Sequence, residues 1–104
     1  MQIILLTILY ANGQGVPQDY KAAVRWYTKA AEQGDENAQV NLGLMYDDGT
    51  GVPQDKVHAY MWYSIAAVNG DDDAATNRDH VAREMTPDQM AEAQRFAREW
   101  QATH

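Results

Sequence analysis

His80 and Glu84 stand four residues apart, and Asp71, Asp72 and Asp73 run consecutively ahead of them. On a helix, His-x-x-x-Glu puts an imidazole and a carboxylate on one face, which is half of a zinc site. A run of carboxylates is half of a calcium loop. Neither half is completed. No third ligand stands where it would close a zinc site. The aspartates lack the glycine at position six and the glutamate at position twelve of the calcium loop. A solvated ion pair accounts for His80 and Glu84. A helix start accounts for the aspartates, because the helix dipole favours negative charge there. Asp47 and Asp48, ahead of a Gly-x-Gly turn, offer at most a weak cation site. No metal site is expected.

Covalent chemistry finds as little. The chain has no cysteine, and Ser64 is its one serine. A serine nucleophile needs a histidine and an orienting acid in reach, and the sequence places no such set. His58 falls in the first turn of a helix beside Lys56 and Val57, a surface or core-edge position, and His104 belongs to no pattern. The glycines of GQG and GTG are not a phosphate loop, since no Gly-Lys-Ser/Thr follows them. Trp26-Tyr27 and Trp62-Tyr63 could stack on nucleic-acid bases. Alanines at helical spacing around both pairs place them in a core instead. The formal charge of −7, from 15 acidic and 8 basic residues, repels phosphate backbones and steers basic peptides or proteins toward the chain. No catalytic residue, cofactor or nucleic-acid partner is expected.

The elements that position these residues follow from a repeat. GVPQD occupies 15–19 and again 51–55. At the same offset of 36 (51 − 15), Tyr10, Gly13, Ala23, Trp26, Tyr27, Ala30, Ala31, Gly34 and Asp35 fall on Tyr46, Gly49, Ala59, Trp62, Tyr63, Ala66, Ala67, Gly70 and Asp71. Such a period marks a solenoid. Ala38, Leu42, Met45 and Tyr46 share one face of a helix over 35–48, and Ala59, Trp62, Tyr63, Ala66 and Ala67 share one face of a helix over 55–69. Between them, Gly49 or Gly51 takes the left-handed conformation that ends a helix, and Pro53 keeps the preceding residues out of one. Asp19 and Asp55 cap the helices that follow, as do Asp35 and Asp71 after Gly34 and Gly70. The pentapeptide therefore serves as stop, turn and start. A valine at Gly51 is expected to cost about 1–3 kcal/mol. Gly43, inside a helix, makes room for the Trp62–Tyr63 pair of the next one.

Leu42-Gly43-x-x-Tyr46 followed by Ala59-x-x-x-Tyr63 resembles the tetratricopeptide pattern. With the Gly-x-Gly-Val-x-x-Asp turn, Trp62-Tyr63, Ala66-Ala67 and Gly70, the chain resembles the Sel-one-like repeat family more closely, over residues 5–75. The resemblance implies an all-α chain: an α/α superhelix of three stacked antiparallel helix pairs in a single domain. Residues 1–34 are a truncated first repeat, 35–70 a complete second repeat and 71–104 a C-terminal capping pair. The first copy has Thr7 opposite Gly43. The last has Arg78 and Asp79 opposite Leu42 and Gly43. Thr86-Pro87-Asp88-Gln89 is a helix start with a capping box. Met90, Ala93, Phe96, Ala97 and Trp100 line the side of that helix facing the core.

The family is used as an adaptor between proteins, so the resemblance implies non-enzymatic protein or peptide binding. By analogy with tetratricopeptide grooves, the concave face carries Asn37, Val40, Leu44, Asp47 and Asp48, with Ile4 and Ile8 as first-repeat counterparts. The alternative for these side chains is burial against neighbouring helices. Two rival functions stand beside binding: hydrolase activity on cell-wall-related substrates, to which some bacterial proteins of this class have been linked, and pure self-assembly. MQIILLTILY, of about ten residues, is too short to span a bilayer. It lacks a basic flank and is read as a helix of the fold. Being apolar nearly all round, it is expected to form a homodimer through Ile3, Ile4 and Ile8. A missing upstream repeat is the competing explanation. The compartment is left open.

Overall fold

The computed structural model describes residues 19–104. It contains helices α1 (Tyr20–Glu32), α2 (Glu36–Asp48), α3 (Lys56–Val68), α4 (Asp72–Ala82) and α5 (Pro87–Thr103). No strand occurs among the described residues. The expectations for the first-repeat helix, including Ile3, Ile4, Thr7 and Ile8, lie outside the described residues.

The punctuation works residue by residue. Asp19, Asp35, Asp55 and Asp71 are extended, and each side chain accepts from the backbone N–H three residues on, at 3.1, 2.8, 3.1 and 2.9 Å. Each such cap contributes about 1 kcal/mol. The start of α5 uses the reciprocal device: Gln89 N donates to Thr86 Oγ1 at 3.1 Å, and Thr86 N donates to Gln89 Oε1 at 2.9 Å. Gly49 ends α2 at φ +72°, and Gly51 follows at +75°. The turn is then tied back to α2 twice: Asp55 N donates to Tyr46 O at 2.8 Å, and Gln54 Nε2 donates to Asp47 O at 2.8 Å. The glutamine of GVPQD thus satisfies a carbonyl at the end of α2 that has no partner within the helix.

α2 and α3 pack antiparallel with Gly43 against Tyr63. A Cβ on Gly43 would lie 2.5 Å from Tyr63 Cε1. Leu42, Tyr63 and Ile65 are fully buried, and Trp62 nearly so. α1 joins this core through Tyr27, Ala30 and Ala31. The buried Gln39 of α2 donates to Ala31 O at 3.1 Å. α4 closes the opposite side of α3, with Val81 against Ala59 and Tyr63.

α5 lies along α3 and has little contact with α4. His58 meets Phe96 with ring centroids 5.7 Å apart, and Trp62 meets Trp100 edge-on at 5.8 Å. The pairs advance together, so α3 and α5 run parallel. The chain is thus an all-α helical-repeat superhelix in which α3 is packed by α2, α4 and α5. The two Trp-Tyr pairs differ in consequence. Tyr27 is buried like Tyr63, but Trp26 stays partly exposed, with the Lys29 ammonium 4.9 Å above its ring.

Candidate functional site

α2 buries Ala38, Gln39, Leu42, Gly43 and Met45. The opposite stripe, at spacings of three and four, is Asn37, Val40, Leu44 and Asp48. Asn37, Leu44 and Asp48 are exposed, and Val40 is partly so. Asn41, beside them, donates from Nδ2 to Asn37 O at 2.9 Å. Burial against a neighbouring helix does not occur at Leu44, which keeps 38% of its surface. Moving on by 36 residues from Asn37, Val40, Leu44 and Asp48 reaches Asp73, Thr76 and His80 on α4 and Glu84 in the turn that follows it. All four are exposed. The face of successive first helices is therefore apolar at its centre on α2 and polar throughout on α4. The α4 half was available from the period alone and was missed.

Asp47 stands apart from the stripe. Its Oδ1 lies 3.3 Å from Lys56 Nζ, and Tyr63 Oη donates to its Oδ2 at 3.5 Å. Lys56 also reaches Glu84 Oε1 at 3.5 Å, and His80 Nδ1 is 3.9 Å from that oxygen. A chain of charges thus links α2, α3 and α4, and Asp47 is engaged inside the protein. Pairs this exposed contribute at most about 1 kcal/mol each.

This cluster and the tyrosines give a pH dependence. Burial lowers the Lys56 pKa, but the hydrogen bond and charge of Asp47, with those of Glu84, outweigh it and raise the net value. Burial raises Tyr27; burial and then the Asp55 charge raise Tyr46; burial, then the Asp47 and Asp48 charges and the Asp47 hydrogen bond, raise Tyr63. In all four the folded pKa exceeds the unfolded one. Their contribution is complete below the unfolded values, about pH 10, and is lost as pH rises through the folded ones. The melting temperature should fall steeply above about pH 10. In Tyr63→Phe it should fall less steeply. Equal slopes in the two proteins would show that Tyr63 takes no part.

His58 is held by its own surroundings. Its Nδ1 lies 2.7 Å from Asp55 Oδ2, and the ring stacks on Tyr46 at 5.2 Å. Ser64 is six residues further along α3, about 9 Å at the helical rise and on another face, so no serine–histidine pair is assembled. Among the described residues, no three His, Cys, Asp or Glu side chains come together to hold a metal ion. No helix among them is long and apolar enough to cross a membrane.

The Sel1 repeat family model matches residues 8–35 and 37–71, the second match running through α2 and α3. The chain belongs to the Sel1 repeat family. Among solved structures, this Sel1 repeat chain is similar to a protective antigen of uropathogenic Escherichia coli displaying an SLR fold. That match has a TM-score of 0.89 and 33% identity, and it covers 94% of this chain and 21% of the antigen. A Sel1 repeat protein from Oxalobacter formigenes is similar with a TM-score of 0.69 and 43% identity, over 71% of this chain and 22% of that one. The chain thus spans about a fifth of each of these proteins. No curated protein matches it. Sel1 repeats are scaffolds typical of protein-interaction modules and are generally non-enzymatic.

Proposed function

We propose that this Sel1 repeat domain is a non-enzymatic adaptor that holds a protein or peptide along the face formed by α2 and α4. Solenoids present the first helix of each pair on their inner face, and α2 and α4 are those helices. The observation that carries the reading is the stripe of Val40 and Leu44 at the surface of α2, between Asn37 and Asp48. A single exposed leucine is ordinary. An apolar strip edged by an amide and a carboxylate, continued on α4 by Thr76 and His80, offers a floor and hydrogen-bonding edges to an extended chain. The net charge of −7 favours a basic partner.

Affinity capture from the source cell, with Val40→Glu/Leu44→Glu beside the unmodified chain, tests this. A partner retained by the unmodified chain should be lost by the double variant, whose melting temperature should fall only modestly because Leu44 is exposed and Val40 half-buried. Identical capture would sink the proposal.

Self-association is a separate proposal, resting on the all-round apolar pattern of Ile3, Ile4 and Ile8. Light scattering at micromolar concentration should give about twice the 11.7 kDa chain mass. It should fall toward one chain in Ile4→Glu/Ile8→Glu. A monomer for the unmodified chain would defeat it.

A further inference from the structure

The ends of α1, α3 and α5 and the start of α2 enclose a recess of about 420 Å³, lined by Glu36, Ile65, Val68, Asn69, Trp100 and His104 among others. Its character is unlike that of the α2–α4 face. Val68 is 70% exposed, the most exposed large apolar side chain among the described residues. Ile65 forms buried wall. The His104 ring lies flat on Trp100, with centroids 4.0 Å apart and planes at 6°, and His104 Nδ1 is 2.8 Å from Trp100 O.

The side-chain carboxylate lining the recess is Glu36, and the helix ends around it are of both signs: the C-termini of α1, α3 and α5 and the N-termini of α2 and α4. Three helix C-termini point their carbonyls toward this end of the superhelix, each with a partial negative charge. The helix starts between them carry Asp35, Glu36, Asp71, Asp72 and Asp73. Among the described residues no lysine or arginine lines the recess. The nearest bases along the chain are Arg98, exposed two residues before Trp100, and Lys29, which sits over the Trp26 ring.

An aromatic face, an aliphatic wall and a carboxylate, on a chain of net charge −7, suit one side chain above others. Arginine stacks its planar guanidinium on an indole, lays its methylenes on apolar surface and pairs with a carboxylate. We propose that this recess binds an arginine of a basic partner segment. The guanidinium takes the place of the His104 imidazole on Trp100 and pairs with Glu36, while the stem lies against Val68. His104 is then an internal occupant that any ligand must displace. This contact lies at the start of α2, next to the α2–α4 face, and uses none of the side chains of that face.

The test is an NMR titration of the Trp100 indole N–H with N-acetylarginine amide at low salt. Its neutral isostere, N-acetylcitrulline amide, is the control. The arginine compound should give a saturable shift in the millimolar range, as befits so small a ligand. The citrulline compound should bind about tenfold more weakly or not at all. Glu36→Gln, a neutral isosteric change at the half-buried first residue of α2, should weaken arginine binding several-fold. His104→Ala should strengthen it. Leu44→Gln, a neutral change two turns along α2 from Glu36, should leave it unchanged while disrupting the apolar strip, so failure of this site and failure of the α2–α4 face are told apart. Equal shifts from arginine and citrulline, or a Glu36→Gln titration identical to that of the unmodified chain, would overturn the proposal. Unchanged or weaker binding in His104→Ala would overturn the placement on the indole.

Discussion

Gly51→Val should destabilise the domain by about 2–6 kcal/mol. Two costs add. The backbone at Gly51 has φ +75°, which a β-branched residue adopts only under strain of about 1–3 kcal/mol. A Cβ there would also lie 2.5 Å from Tyr20 O and 2.7 Å from Tyr20 C. Those are backbone atoms at the start of α1, so no side chain can swing aside, and displacing them costs about 1–3 kcal/mol more. Gly34→Val is the control. Its φ is +92°, yet nothing lies within 4 Å of its Cβ position, so only the first cost applies. In a domain of this size each kcal/mol moves the melting temperature by roughly 4–8 °C. Gly51→Val should therefore melt well below Gly34→Val. Equal midpoints would mean that the approach to Tyr20 carries no weight.

That comparison separates what the sequence could and could not convey. The left-handed angle at Gly51 is local, and the motif implies it. The approach to Tyr20 joins two repeats, and nothing in GVPQD announces it. The same division runs through the molecule. The aspartate caps act over three residues and were legible. So was Gly43, because a glycine inside a helix needs a large neighbour to explain it. Gln39 was not legible: a glutamine in a helix reads as surface, and only the packing of α1 on α2 brings Ala31 O to its amide. The apolar stripe of α5 showed that it must dock, but Met90, Phe96 and Trp100 do not say whether α3 or α4 receives them. That choice makes Trp26 and Trp62, equivalent in the repeat, unequal in burial. Of the candidate face, Asn37, Val40, Leu44 and Asp48 stand together as the spacing implies. Asp47 is drawn off by Lys56, nine residues along the chain and across a turn whose course was unknown.

Gly43→Val carries the second large effect, about 2–4 kcal/mol of destabilisation. The built Cβ lies 2.5, 2.7 and 3.2 Å from Cε1, Cδ1 and Cζ of Tyr63. Unlike the long end of an exposed side chain, this ring has nowhere to go. Tyr63 is 0% exposed and is held between α2 and α4. Valine also recovers little of the helix propensity that glycine lacks. Tyr63→Ala alone should cost about 3–5 kcal/mol by leaving a cavity. Tyr63→Phe should cost under about 1 kcal/mol, since the hydroxyl makes only the long contact to Asp47. The decisive measurement is the double variant. In Gly43→Val/Tyr63→Ala the new methyls enter the space the ring has left, so the clash disappears and part of the cavity is filled. The combined loss should fall short of the sum of the single losses by about 1–3 kcal/mol. Losses that simply add, measured by denaturant unfolding, would show that Gly43 and Tyr63 do not share one space.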